Sequence, residues 1–130
     1  MLKIALALFI IVFSLNAQVK HIYGDKHFFQ QNSLKIIDIR TQQEWKETGI
    51  IPHSYTLTFF DEKGKYNIPK FMSELEKIVS KNESFAMICR TGSRTRLVTK
   101  FLDKNGYKVS NLIGGIVYAK STGMKLVPYK

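Results

Sequence analysis

Six consecutive residues, Cys89-Arg90-Thr91-Gly92-Ser93-Arg94, carry the clearest chemical signal in the sequence. Cys89 is the only cysteine, so a disulfide within the chain and a zinc site built from several cysteines are both excluded. It closes a continuously apolar run, Phe85 to Cys89, that reads as a buried strand, and the spacing predicts a helix from about Arg94 to Lys104. Strand, thiol, glycine-containing turn and helix, in that order, set the sulfur beside the first turn of a helix. The backbone N–H groups there have no partner within the helix, and the helix dipole favours an anion. Gly92 lets the turn close tightly, and Arg90 and Arg94 add positive charge. These surroundings favour a thiolate, so the residue types point to a reactive cysteine rather than a small buried hydrophobe. No His or Asp adjoins the loop in sequence, and anion cradling rather than a triad would have to activate the sulfur.

The elements that must position this loop alternate strand and helix. Leu34 to Ile39 reads as a buried strand. Thr41 with Glu44 three residues later is a capping box, so a short helix should run to about Thr48 and stop at Gly49. Pro52 breaks the chain, and Ser54 to Phe60 reads as a second extended segment, followed by a polar turn at 61–65. Asn67 caps the next helix with Pro69 in its first turn, and Ile68, Phe71, Met72, Leu75, Ile78 and Val79 form one apolar stripe. Leu97, Val98, Phe101 and Leu102 face the core from the helix after Cys89, while Arg96, Lys100 and Lys104 make a solvated row opposite. Asn105-Gly106 ends that helix. Tyr107 to Ile113 is a further strand, then Gly114-Gly115 and a last short helix. This order is that of an α/β domain with a mainly parallel sheet, in which ligands sit outside the carboxyl ends of the strands.

The first residues are read separately. Met1-Leu2-Lys3 is a basic head, Ile4 to Phe13 is unbroken apolar sequence, and Ser14-Leu15-Asn16-Ala17 closes it. That is the layout of a signal peptide at 1–17, with a single domain at 18–130 and export, to a bacterial periplasm, as the expected localisation. The apolar run is shorter than the roughly 20 residues of a spanning helix; a membrane enters only if this segment stays uncleaved. The chain has 130 residues, 45% hydrophobic and 23% charged, with 20 Lys+Arg against 10 Asp+Glu and a formal net charge of +10. The basic residues are scattered and no aromatic–basic stacking motif accompanies them, so the expected partner is a small anion and not nucleic acid.

Taken together, these pieces resemble the rhodanese domain. Cys89 to Arg94, the following helix, Gly106-Tyr107 and Leu112-Ile113-Gly114-Gly115-Ile116 look like its second half. Asp38-Ile39-Arg40, Glu44-Trp45 and Gly49-Ile50-Ile51-Pro52 look like its first, and the order matches over 34–124. The resemblance implies a three-layer α/β/α fold and a sulfurtransferase. An anionic donor such as thiosulfate would pass its outer sulfur to Cys89. The N–H groups of Arg90, Thr91, Gly92, Ser93 and Arg94 would hold the persulfide, and cyanide or a thiol, small or on a protein, would remove it. No cofactor and no metal are implied. Asp38, Arg40 and Glu44 are expected as structural support, with Arg40 paired to a carboxylate such as Glu44. A non-catalytic sulfur carrier and an interaction domain on the same fold are the alternatives. A phosphatase fits less well, because its loop has Cys-x5-Arg and this one has Cys-x4-Arg. The sequence departs from the family at Ile50, where His is usual, at His53-Ser54, where Gly-Ala is usual, and at Ala119, where Trp is frequent. His53 is expected in a turn, Trp45 in packing, and the small Ala119 is expected either to widen or to reshape the wall of the active site.

Overall fold

A computed structural model describes residues 18–130; the expected signal peptide at 1–17 lies outside them. Along the chain come β1 (Lys20–Tyr23), α1 (Lys26–Gln31), β2 (Lys35–Asp38), α2 (Gln42–Thr48), β3 (Tyr55–Thr56), α3 (Ile68–Glu76), β4 (Ser84–Ile88), α4 (Ser93–Lys104), β5 (Lys108–Ile113) and α5 (Gly115–Ser121). The five strands form one sheet in the order β1-β5-β4-β2-β3, and every neighbouring pair is parallel. Parallel strands need helical crossovers, which cover both faces. On one face Phe71 and Leu75 of α3 and Val98 and Leu102 of α4 pack with Ile37, Phe85, Met87 and Val109. On the other, Ile116 and Ala119 of α5 and Phe28 and Phe29 of α1 pack with Ile36, Ala86, Ile88 and Leu112. The expected α/β/α architecture is the observed one. None of the described helices is long and apolar enough to cross a membrane.

Local chemistry sets the helix ends. Thr41 and Glu44 form the full capping box of α2, and Gly49 follows its last turn with φ 80°. Asn67 accepts from Lys70 N at the start of α3. That helix is shorter than its apolar stripe: Ile78 and Val79 lie beyond Glu76, where Val79 still reaches the core. The segment read as extended over Ser54 to Phe60 is a strand only at Tyr55–Thr56, and Phe59 and Phe60 turn to pack on each other and, through Phe59, on Phe71. His53 is exposed and holds φ 65°, a conformation that glycine adopts freely; the usual family glycine at this position has that backbone reason. Ala119 is fully buried in the core beneath the sheet, so it does not form a wall of the active site as expected. Its place on α5 turns it inward against Ile36 and Ile51.

Candidate active site

β4 is the central strand, flanked by β5 and β2, and Cys89 is the residue after its carboxyl end. The loop that follows folds back on the sulfur: Gly92 N donates to Cys89 Sγ at 3.1 Å. Gly92 has φ 99° and is the N-cap of the 12-residue α4, where no side chain caps the helix. The contrast with α2 and α3 is informative, since Thr41 and Asn67 occupy the same amides there. At α4 the first-turn amides are left without a side-chain cap, and with the dipole they favour an anion.

A second helix start clamps the loop from behind. Ile116 N donates to Cys89 O at 2.9 Å and Val117 N to Arg90 O at 3.1 Å. These are first-turn amides of α5, which also lacks a side-chain cap. Gly115 makes the approach feasible: a Cβ there would fall on the carbonyls of Cys89 and Arg90. Gly114-Gly115 therefore shapes the Cys89 loop, a role that sequence reasoning assigned to neither glycine.

The loop's side chains divide. Arg90, Thr91 and Ser93 are exposed, and among the described residues Arg90 forms no ion pair. Arg94 is half-buried and grips Glu44 with both nitrogens, Nη1 to Oε1 at 2.6 Å and Nη2 to Oε2 at 2.8 Å. Glu44 is thus the carboxylate of Arg94 and not of Arg40, as had been expected. Arg40 instead folds back onto Asp38, with Nε at 3.0 Å from Oδ1 and Nη2 at 2.8 Å from Oδ2. A residue two positions away in an extended chain points to the same side, so Asp38 is already within reach of the guanidinium, and Glu44 on the first turn of α2 faces the loop.

The Arg94 guanidinium holds the Glu44 carboxyl down at about 2 from an ordinary 4.5, with the Thr41 N–H assisting against the opposing effect of burial. In turn Glu44 raises Arg94, against desolvation, and the nearby Cys89 charge adds to the rise. A depressed carboxyl contributes stability that is full above its unfolded value and is lost as pH falls through its folded one. The pair's contribution is therefore complete above about 4.5 and disappears towards 2. Glu44→Gln is expected to lower the urea midpoint at neutral pH and to flatten its fall over that acid range, measured by urea titrations at a series of pH values.

Cys89 itself is fully buried. Its Sγ also lies 3.5 Å from Thr95 Oγ1, and Thr95, in the first turn of α4, is fully buried as well. Thr95 is a residue of the site that sequence reasoning missed; its signal was a hydroxyl one turn into the helix on the inward side.

The model of the rhodanese-like domain family matches residues 24–121. The chain belongs to that family. A Bacillus subtilis protein, YtwF, whose name provisionally makes it a sulfurtransferase, is 34% identical over 84 residues, which cover 65% of this chain and 71% of that one. Two crystal structures share the rhodanese-like fold. A rhodanese-like domain protein from Staphylococcus aureus superposes with a TM-score of 0.63 at 23% identity, covering 84% of this chain and 99% of its own. A rhodanese-related protein from Thermoplasma volcanium superposes with a TM-score of 0.64 at 21% identity, covering 83% and 97%. The rhodanese-like match spans every described helix and strand except β1.

Proposed function

We propose that the protein is a sulfurtransferase that moves sulfane sulfur from an anionic donor such as thiosulfate to a thiophilic acceptor through a Cys89 persulfide. The observation that carries this reading is the Gly92 N–H aimed at Cys89 Sγ at 3.1 Å from an uncapped helix start. In the first half-reaction the Cys89 thiolate attacks the outer sulfur of thiosulfate, and sulfite leaves with the electron pair of the broken S–S bond. The outer sulfur of the persulfide, an anion, then lies among the free amides of the loop. In the second, cyanide or a thiolate attacks that sulfur, and the Cys89 thiolate is released. This is covalent catalysis in two steps, and a fixed anion cradle stabilises charge in both. The exposed Arg90 supplies charge to draw in the donor, whereas Arg94 is already neutralised by Glu44.

Burial of Cys89 favours a second reading, a sulfur carrier that surrenders its persulfide only to a protein partner able to open the loop. Intact mass after thiosulfate, with and without cyanide, separates the two. A gain of one sulfur that cyanide removes, with rapid thiocyanate turnover, supports the enzyme. A stable adduct with slow turnover supports the carrier, and no adduct overturns both. We also infer that residues 1–17 are a cleaved export signal; N-terminal sequencing of the mature protein should begin at Gln18, and a start at Met1 in the membrane fraction would reject it.

Gly92→Val tests the cradle. At φ 99° a branched side chain strains the loop by about 1–2 kcal/mol, and its Cβ would come within 3.1 Å of Gly114 N. The variant is expected to fold but to form persulfide roughly tenfold more slowly; an unchanged rate by single-turnover mass measurement rejects the cradle.

A further inference from the structure

Cys89 is linked by side-chain hydrogen bonds to an exposed residue on the far edge of the sheet. Thr95 Oγ1, 3.5 Å from Cys89 Sγ, donates to Asn111 Oδ1 at 2.6 Å. Asn111 Nδ2 in turn meets His21 Nδ1 at 3.1 Å. Thr95 and Asn111 are buried, and His21 is exposed. The sheet register makes the connection, because His21 on β1 and Asn111 on β5 are cross-strand partners. Both point to the face that carries α4, where Thr95 sits.

The protons in this chain admit two arrangements. Thr95 has a single hydroxyl proton, and Asn111 Oδ1 at 2.6 Å is a nearer acceptor for it than Gly92 O at 3.2 Å. The contact between Cys89 and Thr95 is then completed only by a thiol S–H donating to Thr95 Oγ1. In the same state Asn111 Nδ2 donates to His21, so His21 Nδ1 must be bare. Rotating the Asn111 amide reverses every bond. Nδ2 donates to Thr95 Oγ1, the Thr95 hydroxyl is released to choose between Gly92 O and Cys89 Sγ, of which an anionic thiolate is the stronger acceptor, and Oδ1 faces a His21 Nδ1 that must carry a proton. Imidazolium always supplies that proton, and neutral imidazole does so in only one of its two tautomers. The first state suits the thiol and the second the thiolate.

We propose that His21, acting through Asn111 and Thr95, is a positioning residue for the Cys89 nucleophile: with Nδ1 protonated, it turns the Thr95 hydroxyl onto the thiolate. The inference rests on the reading of Cys89 as the reacting atom, not on sulfur as its cargo. The charged groups facing His21 are Arg96, Lys100, Asp103 and Lys104 of α4, which line the same pocket of about 360 Å³. Lys20 adjoins it on β1, and its partner strand β5 presents Asn111 and, at its start, Lys108.

Alkylation of Cys89 by iodoacetamide in the full chain reads the thiolate directly and does not depend on sulfur transfer. In the wild type the pH profile of the rate should carry an inflection that depends on His21. His21→Phe, at an exposed position that does not threaten the fold, should lose that inflection. It should react about three- to tenfold more slowly than wild type at pH 6, in keeping with the strength of one hydrogen bond to an anion, and equally fast at pH 9. Thr95→Val should show the same loss, and adding His21→Phe to it should change nothing further, as for residues acting in one network. Superimposable profiles for wild type and His21→Phe, or losses that add in the double variant, would overturn the proposal. Loss of the inflection in a protein that forms no persulfide would leave this network standing and remove the sulfurtransferase reading instead.

Discussion

Cys89→Ser is expected to abolish thiocyanate formation from thiosulfate and cyanide, by more than about a thousandfold, and to abolish the one-sulfur mass gain. The chain contains no other cysteine, so no second thiol can take over the chemistry. A serine hydroxyl is far harder to ionise than a thiol and cannot form the sulfur–sulfur bond on which the transfer depends. The fold has little reason to change. The serine oxygen would replace a buried atom that already has the Gly92 N–H and the Thr95 hydroxyl as neighbours, so it would not be left without hydrogen-bond partners. An unaltered urea midpoint together with lost transfer places the effect in the reaction. Retention of full activity would show that Cys89 is not the nucleophile and would end the persulfide mechanism.

What the sequence disclosed and what it hid follow from how far apart the interacting residues lie. The Thr41–Glu44 box, Gly49 after α2 and Asn67 before α3 were legible because each is a contact over three or four residues along the chain. The order of strand, Cys89, turn and helix was legible for the same reason. By contrast β1 and α1 left no periodic signal. Lys20, His21 and Tyr23 of β1 are exposed, and Ile22 alone is half-buried, because β1 is an edge strand defined by its pairing with β5. α1 has only six residues and buries none fully. The partners of Arg40 and Arg94 were equally hidden: Glu44 lies four residues from Arg40 but fifty from Arg94, and the tertiary contact won. Thr95 and Asn111 are residue types ordinarily found at the surface. Their burial beside Cys89 depends on how α4 packs against β5, and no local pattern encodes that.

The second large effect concerns the buried pair beneath the site. Asp38→Ala is expected to destabilise the fold by about 3–5 kcal/mol, much of the roughly 5–15 kcal/mol that a domain has. Arg40 and Asp38 are 1% and 0% exposed. Besides Asp38, the guanidinium donates only to neutral oxygens, to Thr48 Oγ1 at 2.8 Å and to Gly49 O at 2.9 Å. It stays charged at any pH the fold survives, so removal of the aspartate leaves a cation out of water without a counter-charge. Two costs compete here. Desolvation makes the intact pair a weak source of net stability, while its half-removal is expensive. Asp38→Leu combined with Arg40→Met should therefore recover much of the loss caused by Asp38→Ala, a comparison that urea titration makes directly. If the double variant were as unstable as the single one, the pair would be contributing through its geometry and not merely avoiding an unpaired charge. That geometry has a bearing on the site. Arg40 ties the end of β2 to the last turn of α2 through Thr48 and Gly49, and the first turn of α2 carries the Glu44 that holds Arg94. In the double variant, a recovered urea midpoint with a persistently altered acid limb would show that Arg40 sets the position of Glu44, and through it of Arg94. An acid limb like that of wild type would confine Arg40 to neutralising Asp38.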